Sequence, residues 1–422
     1  MIKVLELFGG IAACSKALER QNIEHKIVDY VEIDKYAVKS FNAIHNTNYE
    51  TQDICLWDKD VEVDLIMHGS PCQDFSTAGL QAGGDEGSGT RSSLMYETIR
   101  IIKKLNPKFI IWENVKNLLS KKHKHNFDNY IEALDKLGYN SWYKVLDSKD
   151  YGIPQHRERV FTISAKKGLL DNFAFPAEQE LKLKLGDILE QDVDEKYYLS
   201  SKLIQCFVDE TAKQKEKGNN FKFEPLESDS IAKTITTKSG SRLTDNYVLE
   251  QKNLKQKLCD KLIAEDKVKE NDVIRHSYTK SRMAGEMKDI RQNNIAPTLD
   301  TRCDCLGVVV KSKNRRLLSM VDKIEPDEEV KYIDAYNQQI KTEAGTITTR
   351  VDSSNCSFVY ADYRIRKLTP KECWRLMGFD DSDFEKAAKV NSNAQLYKQA
   401  GNSIVVNVLE EILKQLFSNK NN

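Results

Sequence analysis

Three short runs in this chain carry the residue types that covalent chemistry on a polar ring needs. The first is Gly69-Ser70-Pro71-Cys72-Gln73, a thiol beside a proline. A thiolate is a nucleophile, and a proline-flanked loop can present it. The second is Glu113-Asn114, at the end of an apolar run. The third is Gln155-x-Arg157-x-Arg159. A carboxyl group and two guanidiniums can bind a polar heterocycle that the thiol attacks. Each run alone has a blander reading. Pro-Cys is usually a loop with a buried thiol. Glu-Asn at a strand end caps a turn or a helix. Gln-x-Arg-x-Arg is more often a solvated basic face or a phosphate contact. Their conjunction, in this order, favours the chemical reading.

A second set of residues could hold a ligand beside them. Phe8-Gly9-Gly10-Ile11-Ala12 is a glycine turn after a strand-like run. Glycine permits a tight turn and close backbone approach. Ala12 keeps that approach if its φ is negative. Glu32-Ile33 ends the next apolar run, where acidic side chains of dinucleotide folds accept from ribose hydroxyls. Asp53-Ile54 follows. There is no full G-x-G-x-x-G and no P-loop.

The elements that position these residues alternate. Residues 3–7, 27–31, 65–67 and 109–112 read as strands, and residues 14–20, 36–44 and 92–105 as helices. This predicts a doubly wound, Rossmann-like α/β fold, with a mostly parallel sheet covered on both faces. Ligands of such sheets sit at the carboxyl ends of strands. Gly10, Glu32, Asp53, Cys72 and Glu113 all follow strand-like runs, so one pocket should collect them.

The pattern changes near residue 180. Residues 181–361 are Lys-rich and polar, with short Thr/Val segments, and predict an inserted, smaller, β-rich domain between a first part, 1–180, and a return, 362–422. Three segments within it resemble one another: 232–238, 296–302 and 344–350, ending in Lys238, Arg302 and Arg350. Their spacing is irregular, so they are not a solenoid. They read as amphipathic hairpins, Thr out and Ile in, with a basic residue at the turn. In the return, Thr369 is the expected N-cap of a helix with Pro370 first and Glu372 third. A second apolar helix is expected over 405–417.

Composition sets outer limits. The 422 residues are 40% hydrophobic and 30% charged, which fits a globular protein of two domains. No apolar run approaches the roughly 20 residues of a membrane span, and no signal peptide is visible, so a cytoplasmic location is expected. Nine scattered cysteines without zinc spacing suggest free thiols and no metal. The net charge is zero, which leaves room for a basic cleft beside acidic surfaces.

Taken together, the motifs resemble those of the DNA cytosine-5 methyltransferases, bacterial or phage type. The resemblance runs in order over about residues 1–165 and 360–415. It includes Arg366-x-Leu368-Thr369-Pro370-x-Glu372 and the close match Gln399-Ala400-Gly401-Asn402-Ser403-Ile404-Val405. The chain departs at Glu6, where Asp is common, and at Ala12, where glycine is usual. The resemblance implies S-adenosylmethionine as cofactor, bound by Phe8, Gly10, Ile11, Glu32, Ile33, Asp53, Ile54, Pro71, Leu94, Asn402 and Ile404. It implies that the Cys72 thiolate adds to cytosine C6. Glu113 would bind N3 and the 4-amino group, and Arg159 would bind O2, with Arg157 in support. Cys14, Cys55 and the other thiols are expected to be packing residues. A stacked base is out of reach, so the resemblance also implies that the cytosine is flipped from double-stranded DNA, as in other methyltransferases that act on a base. Residues 76–91 would then close over it, with Gln73, Ser76 and Arg91 at the DNA. The variable domain of the family matches 181–361 in position and size, which puts Lys238, Arg302 and Arg350 among candidate base readers. A monomer is expected, with a cognate restriction endonuclease as a possible partner, or an orphan or phage-borne enzyme. Rival readings are a tRNA cytosine-5 methyltransferase, a catalytically silent DNA-binding homologue and a nicotinamide dehydrogenase.

Overall fold

The computed structural model describes residues 1–71, 91–251 and 363–418, and within 252–362 only six short strands. Cys72, Gln73, Ser76, Arg302 and Arg350 lie outside the described residues, as does the side chain of Arg91.

The chain divides into two compact units, Met1–Leu249 with Ile365–Asn422, and Glu250–Arg364. The first is built on six strands: β1 (Ile2–Leu7), β2 (His25–Val31), β3 (Leu65–His68), β4 (Phe109–Val115), β5 (Tyr139–Asp147) and β7 (Glu158–Lys166). Their order is β2-β1-β3-β4-β7-β5. The first four are parallel, and β7 runs antiparallel to both β4 and β5. All seven residues of β4 are buried, as expected of a central strand covered on both faces.

Two cores lie on the two faces. One gathers Ile66, Ile110, Trp112 and Tyr130 with residues of α3 (Met95–Leu105) and α4 (Lys124–Lys136). The other joins Val4, Leu65 and Ile111 to α1 (Ala13–Arg20) and to the C-terminal helix. α2 (Lys35–His45) follows β2, with Asp34 capping it through Tyr36 N at 2.9 Å.

The helices α5 (Leu185–Ile188) and α6 (Ser201–Glu216) and the strands β6 (Gln155–His156) and β8 (Ala232–Lys233) precede β9 (Tyr247–Gln251). Leu185, Ile188, Leu226, Ala232, Ile235 and Val248 pack into the core of Val4, Leu65 and Ile111. The stretch 181–249 therefore belongs to the first compact unit, where the sequence suggests a start of the insertion at 181. α6, a 16-residue helix, is not foreseen in a β-rich segment. Nor do residues 232–238 form the expected hairpin, because β8 pairs in parallel with β6.

The second unit contains two three-stranded antiparallel sheets. One holds Val273–His276, Met287–Arg291 and Cys305–Val308, and the other holds Tyr332–Asp334, Gln339–Lys341 and Ser357–Val359.

The chain returns through Tyr363–Lys367, which pairs with β9. α7 (Pro370–Arg375), α8 (Asp381–Ala388), α9 (Asn393–Asn402) and α10 (Val406–Ser418) follow. Thr369 caps α7 as its sequence predicts. Its Oγ accepts from Glu372 N at 3.2 Å, and the Glu372 carboxylate accepts from Thr369 N at 2.7 Å. The same carboxylate binds Arg366 in a two-pronged pair at 2.8 Å, both side chains fully buried. On α10, Leu409, Ile412, Leu413 and Leu416 recur at helical spacing and are buried. Among the described residues no helix is long and apolar enough to cross a membrane.

Candidate active site

A cleft opens at the carboxyl ends of β1, β3 and β4. Phe8, Gly10, Ile11, Gly69, Glu113, Asn402 and Ile404 line it, with Glu6 and His68. The cleft thus joins five residues assigned to a cofactor from sequence with the catalytic candidate Glu113.

The glycine turn shows why glycine is needed. A Cβ on Gly9 would lie 2.5 Å from Tyr30 Cε2. The Tyr30 hydroxyl donates to Gly10 O at 2.6 Å, so the ring holds the turn against β2. Gly10 has φ 57. Ala12 does not meet the condition of a negative φ. Its φ is 74, in the left-handed region, and the residue is fully buried. The turn keeps the glycine conformation at a residue that strains to adopt it.

Glu32 sits at the end of β2 beside this turn. Its carboxylate accepts from Gly10 N at 3.1 Å and from Asp34 N at 2.8 Å. Burial holds it above the usual carboxylate range, against the pull of those two amides. Gln52 N donates to Glu32 O at 2.9 Å and leads into the turn of Asp53 and Ile54. Asp53 accepts from Cys55 N at 2.9 Å, Ile54 is buried, and Ile33 is 69% exposed. Cys14 is buried as expected, with its thiol pushed up by burial, but Cys55 is exposed rather than packed. Leu94 is half-buried at the foot of α3.

The register of β3 and β4 brings two of the candidate runs together. His68 is opposite Trp112, so Gly69 and Glu113 come next on adjacent strands. A Cβ on Gly69 would lie 3.6 Å from Glu113 Oε2. Three contacts that the sequence does not announce hold the turn before Cys72. Trp112 Nε1 donates to Ser70 Oγ at 3.1 Å, and Asn114 Nδ2 donates to Ser70 Oγ at 3.2 Å and Ser70 O at 3.3 Å. Their only sign in the sequence is Asn114 beside Glu113.

Glu113 is 8% exposed, and Arg159 Nε lies 3.1 Å from its Oε1. Burial raises its carboxyl above the ordinary range, and Arg159 and then Arg157 draw it back. Arg157 faces backbone. It donates to Ile235 O at 3.1 Å, Gly401 O at 3.1 Å and Ser403 O at 2.8 Å. Gln155 is fully buried and accepts from Ile235 N at 2.8 Å. These two residues are not the solvated face their types suggest.

The model of the C-5 cytosine-specific DNA methylases matches residues 2–418. The chain belongs to that family. It is 31% identical to the orphan methyltransferase M.Rho11sI of Bacillus phage rho11s, over 98% of this chain and 97% of that one. It is 32% identical to the orphan methyltransferase M.SPRI of Bacillus phage SPR, with the same coverage. To the type II methyltransferase M2.ScrFI of Lactococcus lactis subsp. cremoris it is 30% identical over the whole of both. Solved structures of similar fold include S. pombe Dnmt2 methyltransferase, 16% identical with a TM-score of 0.58, covering 100% of both chains. Another is Entamoeba histolytica methyltransferase EhMeth, 16% identical with a TM-score of 0.60, covering 100% of this chain and 99% of that one. At such identity the likeness is one of fold.

Family and fold imply S-adenosylmethionine, and the cleft of this methylase fits it. Among the described lining residues are the carboxylates Glu6 and Glu113 and no lysine or arginine. That suits a cationic ligand without phosphates. Glu32 does not line the cleft, but its carboxylate binds the glycine turn that does.

Proposed function

We propose that the chain transfers a methyl group from S-adenosylmethionine to C5 of a flipped cytosine in double-stranded DNA, with Cys72 as nucleophile. The observation that carries this reading is the pair of buried Glu113 with half-buried Arg159, one strand over from the run into Pro71 and Cys72. Glu32 would hold the ribose hydroxyls, and Phe8, Gly10, Ile11, Asn402 and Ile404 the rest of the cofactor, with Ile33, Asp53, Ile54, Pro71 and Leu94 completing its site. When bound, the cofactor supplies an electrophilic methyl on a sulfonium.

The work of the chain is to make C5 a nucleophile. The Cys72 thiolate adds to C6, and the electron pair of the C5–C6 bond moves to C5. Glu113 donates a proton to N3 as charge develops there. Its raised pKa favours the protonated form that this needs. Arg159 stabilises O2 and keeps Glu113 in place. Once C5 has taken the methyl group, with S-adenosylhomocysteine left behind, N3 returns its proton to Glu113, a base takes the C5 proton, its electron pair re-forms the C5–C6 double bond, and the C6–S bond breaks to release the thiolate.

Sequence choice is assigned to the second unit, where Arg302 and Arg350 lie, with Lys238 just before it. Gln73, Ser76 and Arg91 are assigned to the DNA beside the flipped base. The phage and type II relatives suit either an orphan enzyme or one with a cognate endonuclease. The test is trapping on duplex DNA with 5-fluorocytosine at the target, since the C5 fluorine cannot be eliminated. The parent should give a denaturation-resistant complex and Cys72→Ala none. Equal trapping by both refutes the mechanism.

A further inference from the structure

The turn that carries Asp53 is clasped by two side chains that no step above uses. Asp29, on β2 and 3% exposed, binds both flanks of it. Its Oδ1 accepts from Gln52 Nε2 at 3.0 Å and its Oδ2 from Trp57 Nε1 at 2.7 Å. Gln52 Nε2 also donates to Tyr30 O at 2.8 Å, which ties the near flank to the same strand. Arg100 reaches the turn from α3. Its Nη2 donates to Ile54 O at 2.8 Å and its Nη1 to Trp57 O at 3.0 Å, while Nε pairs with Glu97 at 2.9 Å. A planar fork held at three points keeps one orientation.

What the two clasps fix is a carboxylate. Ile54 and Trp57 are buried and anchor the turn, but apolar contact has no direction of its own. Orientation comes from the hydrogen bonds. Inside the turn Leu56 N donates to Asp53 O at 3.0 Å, and Asp53 Oδ1 accepts from Cys55 N at 2.9 Å. An ionised carboxylate accepts hydrogen bonds and gives none. It therefore suits a purine edge with an amino group at C6 and opposes one with a carbonyl there. Such a choice needs a fixed carboxylate, because one that swings aside loses both the bond and the repulsion.

We infer that Asp29 and Arg100 are positioning residues that orient Asp53 toward the amino group of the cofactor's adenine. The preference for adenine over a 6-oxo purine is then set by two residues that need not touch the ligand. This rests on the reading of Asp53 as a contact of the cofactor. All the groups involved lie within the first compact unit.

The experiment measures a ratio of affinities. S-adenosylhomocysteine and its inosine analogue, with a carbonyl in place of the amino group, are titrated by calorimetry without DNA. The parent should prefer the adenine compound by about tenfold or more. Asp53→Ala should lose most of that preference. Asp29→Asn puts an amide donor where Gln52 or Trp57 needs an acceptor. Arg100→Lys offers one point charge for two carbonyls. Each should bring the ratio to about threefold or less. A general loss of stability would weaken both ligands alike and leave the ratio where it was. The parental ratio in either variant, with the preference lost in Asp53→Ala, overturns the inference alone. The parental ratio in Asp53→Ala, or a ratio of one in the parent, overturns the reading of Asp53 and the inference with it. If Asp29→Asn does not fold, Trp57→Phe answers instead. It keeps a ring and loses the Nε1 donor, and the same loss of preference is expected.

Discussion

Arg159 Nε lies 3.1 Å from Glu113 Oε1, yet the guanidinium does not bring the carboxyl down to its ordinary range. Burial outweighs the pair, in the direction that the proposed proton transfer to a ring nitrogen requires. Removing either partner changes different things. Glu113→Gln keeps the shape and loses the proton, and should slow single-turnover methyl transfer by about 100-fold or more. Arg159→Ala should slow it comparably and raise the Glu113 pKa further. Transfer at the parental rate in Glu113→Gln would exclude the acid role.

Glu32 is expected to act on the cofactor alone. Its carboxylate already organises Gly10 N and Asp34 N, and its remaining lone pairs are available to a ribose. Glu32→Gln retains acceptor capacity on one oxygen, whereas Glu32→Ala removes it. The Ala variant should lose about tenfold or more in S-adenosylmethionine affinity by calorimetry, and the Gln variant less. DNA affinity without cofactor should hold. Unchanged cofactor binding in Glu32→Ala counts against the assignment.

Glu6 gives the stability a pH dependence. It is 2% exposed, and burial pushes its pKa up to about 6, from an ordinary 4.5, despite two bonds from Ser15. The folded chain therefore holds this proton more tightly than the unfolded chain. The contribution is fully present below about pH 4.5 and is lost as pH rises through about 6. A shift of that size corresponds to about 2 kcal/mol. Glu6→Gln should flatten this part of the curve of urea stability against pH. If the slope between these values is the same in parent and variant, another group carries it.

Ala12 is a test of strain. Its φ of 74 costs about 1–2 kcal/mol in an L-residue, while its buried methyl returns about 0.8 kcal/mol. Glycine relieves the first, forfeits the second and adds about 0.5–1 kcal/mol of unfolded-chain entropy. Ala12→Gly should therefore shift stability by less than about 1 kcal/mol. Ala12→Val, β-branched in the left-handed region and oversized, should lose about 3 kcal/mol. A severe loss in Ala12→Gly would mean that the methyl packing dominates.

How far the sequence can be read follows from the range of each interaction. Thr369, Pro370 and Glu372 cap their helix within four residues, so local residue types suffice to place it. The strand ends that bring Gly10 and Glu113 to one cleft follow from local apolar runs and from the rule for parallel sheets. Gln155 escapes such a reading because its partners are Ile235 and Leu376, 80 and 221 residues away. Nothing near it in sequence marks a buried amide. Residues 232–238 suggest a hairpin because alternation specifies a strand but not its partner, and the partner is β6. The conformation of Ala12 cannot be read from its residue type, because φ is set by the turn, not by the size of the side chain.

Gly401 tests the contact between residues 236–237 and the cofactor turn. It has no positive φ to explain it, so backbone preference does not demand glycine there. The demand is steric: an added Cβ meets Thr237 N, Thr236 C and Thr236 O, all backbone atoms, at 2.4 to 2.7 Å. A side-chain end could swing aside, but these atoms are held by Gln155 and Arg157 through Ile235. Gly401→Ala should therefore cost about 1–3 kcal/mol of stability, the usual range for overpacking. It should also weaken S-adenosylmethionine binding, because Asn402 must move with its neighbour. Gly138→Ala is the control, since its φ of 86 strains an alanine but no atom lies within 4 Å of the new Cβ. It should lose stability without losing cofactor affinity. If Gly401→Ala binds cofactor as the parent does, the turn yields independently and the two segments are neighbours without being coupled.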